Sequence, residues 1–271
     1  MLQHMLRQLM FRPRIAVVFH IYYEDIAKEI IARRKNIRSP YSLYVTHNHD
    51  LTPDTITALA GLQVRLRFLK TENIGMDVYP FLAALEHFGL FETGLLCKLH
   101  TKRGEGPIGD TWKTELFDSI LGDGSRFDSN IRYLAAHSHM AMLGAASTYL
   151  SAHHAMKDNF PHIFDLNQAC LYADLKQDWG FFAGTIFLAR SRIFHPLPKA
   201  SIIRQRFARG ATRSDGEFAH ACERVFGLLP RLGLQDVGTI TPAWRGEEVA
   251  VNPLPSPELI SRTMTELHKK R

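Results

Sequence analysis

The stretch Arg14–Tyr22, RIAVVFHIY, decides the fold. It is short, β-branched and almost continuously apolar, which reads as a strand buried on both faces. Working outward, residues 24–34 follow with Ile26, Ala27, Ile30 and Ile31 at helical spacing. Tyr41–Thr46 reads as a second strand, closed by the turn-forming His47-Asn48-His49-Asp50. Thr52-Pro53-Asp54 then opens a helix: a cap residue, proline in the first turn and an acid beside it. Val64–Leu69 reads as a third strand, Tyr79–Phe88 as a helix and Gly94–Leu99 as a fourth strand. A β-α-β-α-β-α-β order predicts a parallel sheet with right-handed crossovers. In such sheets ligands bind beyond the carboxyl ends of the strands. The residues to watch are therefore 20–23, 47–50, 71–77 and 98–103.

The second half is less regular. Trp112–Leu121 reads as a helix, and Met140–Ala146 and Trp179–Leu188 as strands. Ser214–Gly227 reads as a helix opened by a capping box from Ser214 to Glu217, with Phe218, Cys222, Val225 and Phe226 on one apolar face. The expected fold is α/β: a single domain with a mostly parallel central sheet flanked by helices, over residues 14–250. A basic segment, 1–13, precedes it and an arm, 251–271, follows.

Composition narrows the class. The 271 residues are 45% hydrophobic and 22% charged, enough to bury a core. The net charge of +6 suggests an anionic partner, but the basic residues are spread along the chain, which argues against a nucleic-acid patch. Cys97, Cys170 and Cys222 lie far apart and offer no disulfide or zinc framework, as in a reducing compartment. No apolar leader and no membrane-length run is present in the sequence. The expected location is cytoplasmic. The first residues have two readings, a first helix on the domain or an amphipathic segment lying on the inner membrane face.

Neither a Walker A loop nor a Gly-x-Gly-x-x-Gly run occurs, and no histidine stands in a His-Glu-x-x-His frame. Four segments stand out instead: Asn73-Ile74-Gly75-Met76-Asp77 before Pro80-Phe81, Lys98-Leu99-His100-Thr101-Lys102, Ala183-Gly184-Thr185-Ile186-Phe187, and Asp215-Gly216 leading to His220-Ala221-Cys222-Glu223-Arg224. In this order, over roughly residues 14–230, they resemble the rhamnan synthesis F family of bacterial polysaccharide synthesis. The resemblance implies a glycosyltransferase of the A-type, Rossmann-like fold. It would move a sugar, rhamnose by the family's name, from a nucleotide-diphosphate donor to a growing glycan or lipid-linked acceptor.

The resemblance also suggests roles. Asn73, Gly75, Asp77, Lys98, His100, Thr101, Lys102 and Tyr22 would bind the nucleotide sugar, with Gly184 and Thr185 on the acceptor. A-type enzymes usually carry an Asp-x-Asp after the fourth strand to hold a divalent cation. Here Lys98, His100 and Lys102 stand at that place, on one side of a strand. They are expected to neutralise the leaving diphosphate, with Mg²⁺ or Mn²⁺ compatible but not essential. An inverting transfer needs a carboxylate base. Asp215 is the first candidate and Glu223 the second, with His220 placed to orient it.

Each residue also has a structural reading. Lys98 and Lys102 could be a solvated face. Asp77 could cap the helix that follows it, and Asp215 its own helix. Glu223 could pair with an arginine, and Gly184 could mark a bulge. Trp179, Phe181 and Phe182 could stack on sugar or fill the core; Tyr22 and Tyr23 could flank a base or simply pack. Two other functions remain in view: an accessory module that binds nucleotide sugar or glycan without turnover, and a nucleotidyl- or phosphotransferase. If the basic strand end replaces a metal, sugar transfer persists in EDTA; loss of activity on chelation would refute that reading.

Overall fold

The computed structural model describes residues 14–33, 37–103, 106–122, 125–209, 215–241 and 249–258. The expectations for residues 1–13, for Ser214 and for residues 259–271 lie outside them. The opening run forms β1 (Arg14–Ile21), followed by α1 (Glu24–Ala32), β2 (Ser42–His47), α2 (Pro53–Ala60), β3 (Arg65–Lys70), α3 (Val78–His87) and β4 (Gly94–His100). β1 pairs in parallel with β2 and β4, and β2 with β3. The βαβ reading holds through this half. Thr52 caps α2 through its side chain, which accepts from the Thr55 amide at 3.4 Å, with Pro53 in the first turn as expected.

Beyond β4 come α4 (Gly106–Leu121), α5 (Arg126–Ala136), β5 (Met140–Ala145), β6 (Tyr149–Ser151), α6 (Phe160–Leu166), β7 (Gly180–Phe182), β8 (Phe187–Arg190), α7 (Ala200–Ile203), α8 (Phe218–Leu232), β9 (Asp236–Ile240) and β10 (Ala250–Val251). The eight-stranded sheet runs β10-β9-β5-β8-β4-β1-β2-β3, and β6 and β7 form a separate antiparallel pair. β8 lies antiparallel between β4 and β5, while β5 and β9 are parallel. The sheet is thus mixed, with its parallel half at β1–β4. Among the described residues no helix is long and apolar enough to cross a membrane.

Two expectations need correction. The apolar run 179–188 is two strands, not one. Gly184 and Thr185 both have positive φ, 87° and 49°, so the chain turns between β7 and β8. Apolarity alone could not reveal this, because both strands and the turn are buried. The late helix begins at Phe218, not Ser214. Its capping box is formed by Glu217, whose side chain takes a backbone N–H, and by His220, whose Nδ1 accepts the Glu217 amide at 3.2 Å. Asp215 therefore stands before the helix, not within it.

Residues 251–258, read from the sequence as the start of an arm, are tied in. β10 pairs with β9, and Ser256 accepts the Ser151 amide at 2.8 Å and donates its own to Tyr149 at 3.0 Å.

Strand periodicity sorts the core into two halves. Ile15, Val17, Phe19, Leu95, Cys97 and Leu99 face one apolar cluster, with α1, α4 and α5 over it. Ala16, Val18 and Leu96 face the other, which takes in Phe81, Phe187 and Phe226. Lys98 and His100 continue that second row, which places a cation on a core face. Trp179, Phe181 and Phe182 are 3%, 1% and 3% exposed and belong to this core, so they are not a sugar-stacking surface.

Gly75 joins this core to the segment that follows α7, at Phe207 and Ala208. Its φ is 60°, its amide donates to Ala208 at 3.0 Å, and a Cβ there would meet Phe207 Cδ1 at 2.3 Å. Gly75→Ala is expected to lower stability by about 1–3 kcal/mol, through overpacking and a left-handed backbone. Gly89→Ala, also at positive φ but in open space, should cost less. Urea midpoints of the two variants test the difference; equal shifts would show that Phe207 is not the obstacle.

Candidate functional site

The carboxyl ends of β1, β2, β3 and β4 open on one edge of the sheet, and the β7–β8 turn and α8 reach the same edge. Lys98 explains why. Its side chain is 2% exposed and lies on a core face, where an unpaired ammonium would be costly. Asp77, just after the third strand's loop, supplies the counter-charge: Lys98 Nζ donates to Asp77 Oδ2 and, at 2.6 Å, to Thr185 Oγ1. Thr185 Oγ1 in turn donates to the same Asp77 oxygen at 2.5 Å. Asp77 makes no capping bond to α3. Burial alone would push its carboxyl up; the fields of His100, which is protonated in the acid where Asp77 titrates, and of Lys98, with the bonds from Lys98 and Thr185, outweigh this and hold it well below the usual carboxylate range.

Thr185 reaches this position only through a φ of 49°, an unfavourable conformation for a β-branched residue. Backbone strain of this kind is retained where the surroundings enforce it, and it clusters at functional sites.

His100 Nε2 meets the Gly184 carbonyl at 2.7 Å, so that nitrogen carries the proton. Its Nδ1 faces Asp77 at 3.7 Å. Burial lowers its pKa to about 4, so the ring is neutral at physiological pH. His20 adjoins it at the same register on β1, with Nδ1 3.1 Å from Thr46 Oγ1 and its pKa lowered to about 3 by burial. The expected row of three cations is therefore corrected. Lys98 is neutralised by Asp77, and His100 is uncharged. Nor are they a solvated face. Lys102, just past the strand, is the remaining cation; its Nζ lies 3.8 Å from the Trp112 ring centroid.

Gly184 links this cluster to α8. Its amide donates to Glu223 Oε1 at 2.6 Å, while Glu223 Oε2 lies 3.5 Å from Arg224 Nη1. Burial pushes the Glu223 carboxyl up, opposed by Arg224, the Gly184 N–H and Lys102. Asp215 behaves oppositely. Burial would raise it, but Asn159 at 2.7 Å, Arg224 at 2.8 Å, the Gly216 amide at 2.8 Å and Lys157 at 3.2 Å hold it below its usual value. Arg224 thus spans the two carboxylates, itself anchored on Ala155 and His220 carbonyls. His220 closes the helix cap through Nδ1, which leaves that nitrogen unable to orient Glu223.

The other expected ligands serve the frame. Thr101 Oγ1 accepts the amides of Tyr22 at 2.8 Å and Tyr23 at 3.0 Å, fixing the β1–α1 turn. That holds Tyr22, 44% exposed, at the rim, edge-on to Tyr23 and His49. Asn73 is exposed beside the site, and Gly75 is a packing glycine. Trp112, Asn159 and Arg224 received no role from the sequence, and His20 was marked only by its place at the end of the first strand. His20 was detectable in principle, because it shares the strand parity of Lys98 and His100 on the neighbouring strand.

Among the described residues no group of three or more His, Cys, Asp or Glu is disposed to hold a metal ion. Asp77, the carboxylate nearest the usual cation position, has its Oδ2 occupied by Lys98 and Thr185, and the donors here do not fit a divalent cation.

The model of the rhamnan synthesis protein F family matches residues 1–232. This chain belongs to that family. All four motifs lie inside the matched region, and three of their residues, Asp77, Lys98 and Thr185, bond to one another in the triad. A relative from Xanthomonas campestris pv. campestris, the uncharacterised protein WxcX, is 25% identical over 218 residues in one strain and 24% in another. Each match covers 80% of this chain and 31% of the relative, so the chain spans about a third of that protein's length.

The triad predicts a pH-dependent stability. Asp77→Ala leaves Lys98 buried without its counter-charge and is expected to cost about 3–5 kcal/mol. Lys98→Met added to it should recover most of that loss. Because the Asp77 pKa is depressed on folding, its contribution is present above the unfolded value of about 3.9 and is lost as pH falls below it. The stability gap between wild type and D77A should therefore narrow only in acid. Urea unfolding from neutral to acid pH measures it; a pH-independent gap would remove the ion pair as the cause.

Proposed function

We propose that this protein is a glycosyltransferase of the A-type fold in bacterial cell-surface polysaccharide synthesis, transferring a sugar from a nucleotide-diphosphate donor to a glycan acceptor with inversion. Membership of the rhamnan synthesis family supports the setting and the choice of rhamnose as donor sugar. The single observation that carries the chemistry is Glu223: a carboxylate of raised proton affinity, held against the Gly184 amide at the sheet's carboxyl edge, with Lys102 in its field.

In this reading Glu223 is the base and Asp215, whose carboxylate is held low by two cations, is a positioning residue for Arg224. The acceptor hydroxyl oxygen attacks the anomeric carbon and its proton passes to Glu223. The bond from that carbon to the diphosphate breaks, and the electron pair leaves with the diphosphate oxygen, towards Lys102. The Asp77–Lys98–Thr185 triad holds the β7–β8 turn that presents the Gly184 amide. Tyr22 at the rim flanks the nucleobase. The protein works at the inner face of the cytoplasmic membrane, where such donors are available.

Glu223→Gln keeps an acceptor for the Gly184 amide but removes the base. It is expected to lower kcat by about 10²–10⁴-fold with donor binding unchanged. Asp215→Asn should lose less. Calorimetry with dTDP, UDP and GDP, each with Mg²⁺ and with EDTA, measures binding beside a transfer assay. Diphosphate binding without any transfer by the wild type would make this an accessory module. Near-normal turnover by E223Q would move the base elsewhere.

A further inference from the structure

A cleft of about 740 Å³ opens at the opposite end of the sheet from the triad. The amino ends of the parallel strands form one side of it: Arg14 starts β1, Ser42 starts β2, Arg65 starts β3, and Thr93 immediately precedes β4. The loop before β2 brings Arg38, and α5 brings Arg132. Four arginines thus line one concavity.

Among the described residues the only carboxylate lining the cleft is Asp128, and the fold already uses it. Its oxygens accept the amides of Arg38 at 3.0 Å and Ser39 at 2.6 Å, together with the Ser39 hydroxyl. These bonds fasten the loop that carries Arg38 onto α5. Among the described residues, none of Arg14, Arg38, Arg65 and Arg132 has a carboxylate partner, and Arg132 gives one bond to Ser129 Oγ at 2.9 Å. Elsewhere on the surface the pattern differs: Arg33, Arg103 and Arg204 pair with Asp118, Asp25 and Glu72.

Like charges gathered around a hollow repel one another, and an anion inside relieves that repulsion. Guanidinium groups match the forked oxygens of phosphate and carboxylate alike. The hydroxyls of Ser42, Thr93 and Tyr44 also line the cleft and can bond to the hydroxyls of a sugar ring.

We infer that this cleft is a second binding site, which takes an oxyanion-bearing sugar remote from the Glu223 edge. Its ligand carries either a phosphate or a carboxylate on the sugar. The inference does not depend on whether the Glu223 edge transfers sugar.

The test is calorimetric titration of the full chain with glucose 1-phosphate and with glucuronate, using glucose as the neutral control. Wild type and Lys102→Ala should bind an anionic sugar alike, more weakly at high salt. The double variant R65A/R132A should bind it at least about tenfold more weakly, a difference of about 1.4 kcal/mol. Both arginines are exposed, so its melting temperature should match wild type; R65A alone serves where the double variant does not fold. The tighter of the two probes identifies the oxyanion. Binding of neither anion, binding indifferent to the arginines, binding equal to that of glucose, or binding lost in K102A would each overturn the site.

Discussion

A lysine on a core face is the constraint around which the site is arranged. Lys98 occupies the position in β4 that strand parity assigns to the apolar cluster beneath α3 and α8, with its ammonium 5.4 Å from the Phe81 ring centroid. Such a group must find a counter-charge and bonds for its protons. Asp77 and Thr185 supply them, and each is drawn from a different part of the chain. The cost is visible in Thr185, whose backbone enters a region that β-branched residues avoid. The ion pair thereby couples the parallel half of the sheet to the inverted strand that follows the turn.

That coupling passes outward to Glu223. The turn held by Thr185 aims the Gly184 amide at Glu223 and its carbonyl at His100. Glu223 and Asp215 share Arg224, yet their proton affinities move in opposite directions. Glu223 is mostly buried, has few donors and is raised. Asp215 accepts from two cations, an amide and an asparagine, and is lowered. Two carboxylates of one motif are in this way separated into a group suited to accept a proton and a group suited to remain charged.

The two ends of the sheet also differ electrostatically. At the carboxyl edge the charges are mostly paired and buried, leaving Lys102 and Glu223 as the groups of interest. At the amino edge the arginines stand around a cleft and, among the described residues, have no carboxylate partners. A basic net charge of +6 is thus concentrated in part at a place that the α/β reading does not mark as a ligand site.

The sequence by itself determined the parallel half. Continuous apolar runs separated by helical spacing, with Thr52-Pro53-Asp54 marking a start, admit few other folds, because each signal is local. It also singled out Asp77, Lys98, Thr185 and Glu223, which all lie in the four motifs and which the fold brings to one edge of the sheet. Their partnerships were decided by tertiary structure. Asp77 looked like a helix cap because its neighbours in sequence allow one, but its bonds go to residues 21 and 108 positions away. The break at Gly184 was legible only as a bulge, because the two strands and the turn between them are all buried. The capping box moved from Ser214 to Glu217 because His220 could complete it there. The state of Lys98 was out of reach of any local reading, since whether a lysine is a solvated cation or a buried half of an ion pair depends on which strands flank it.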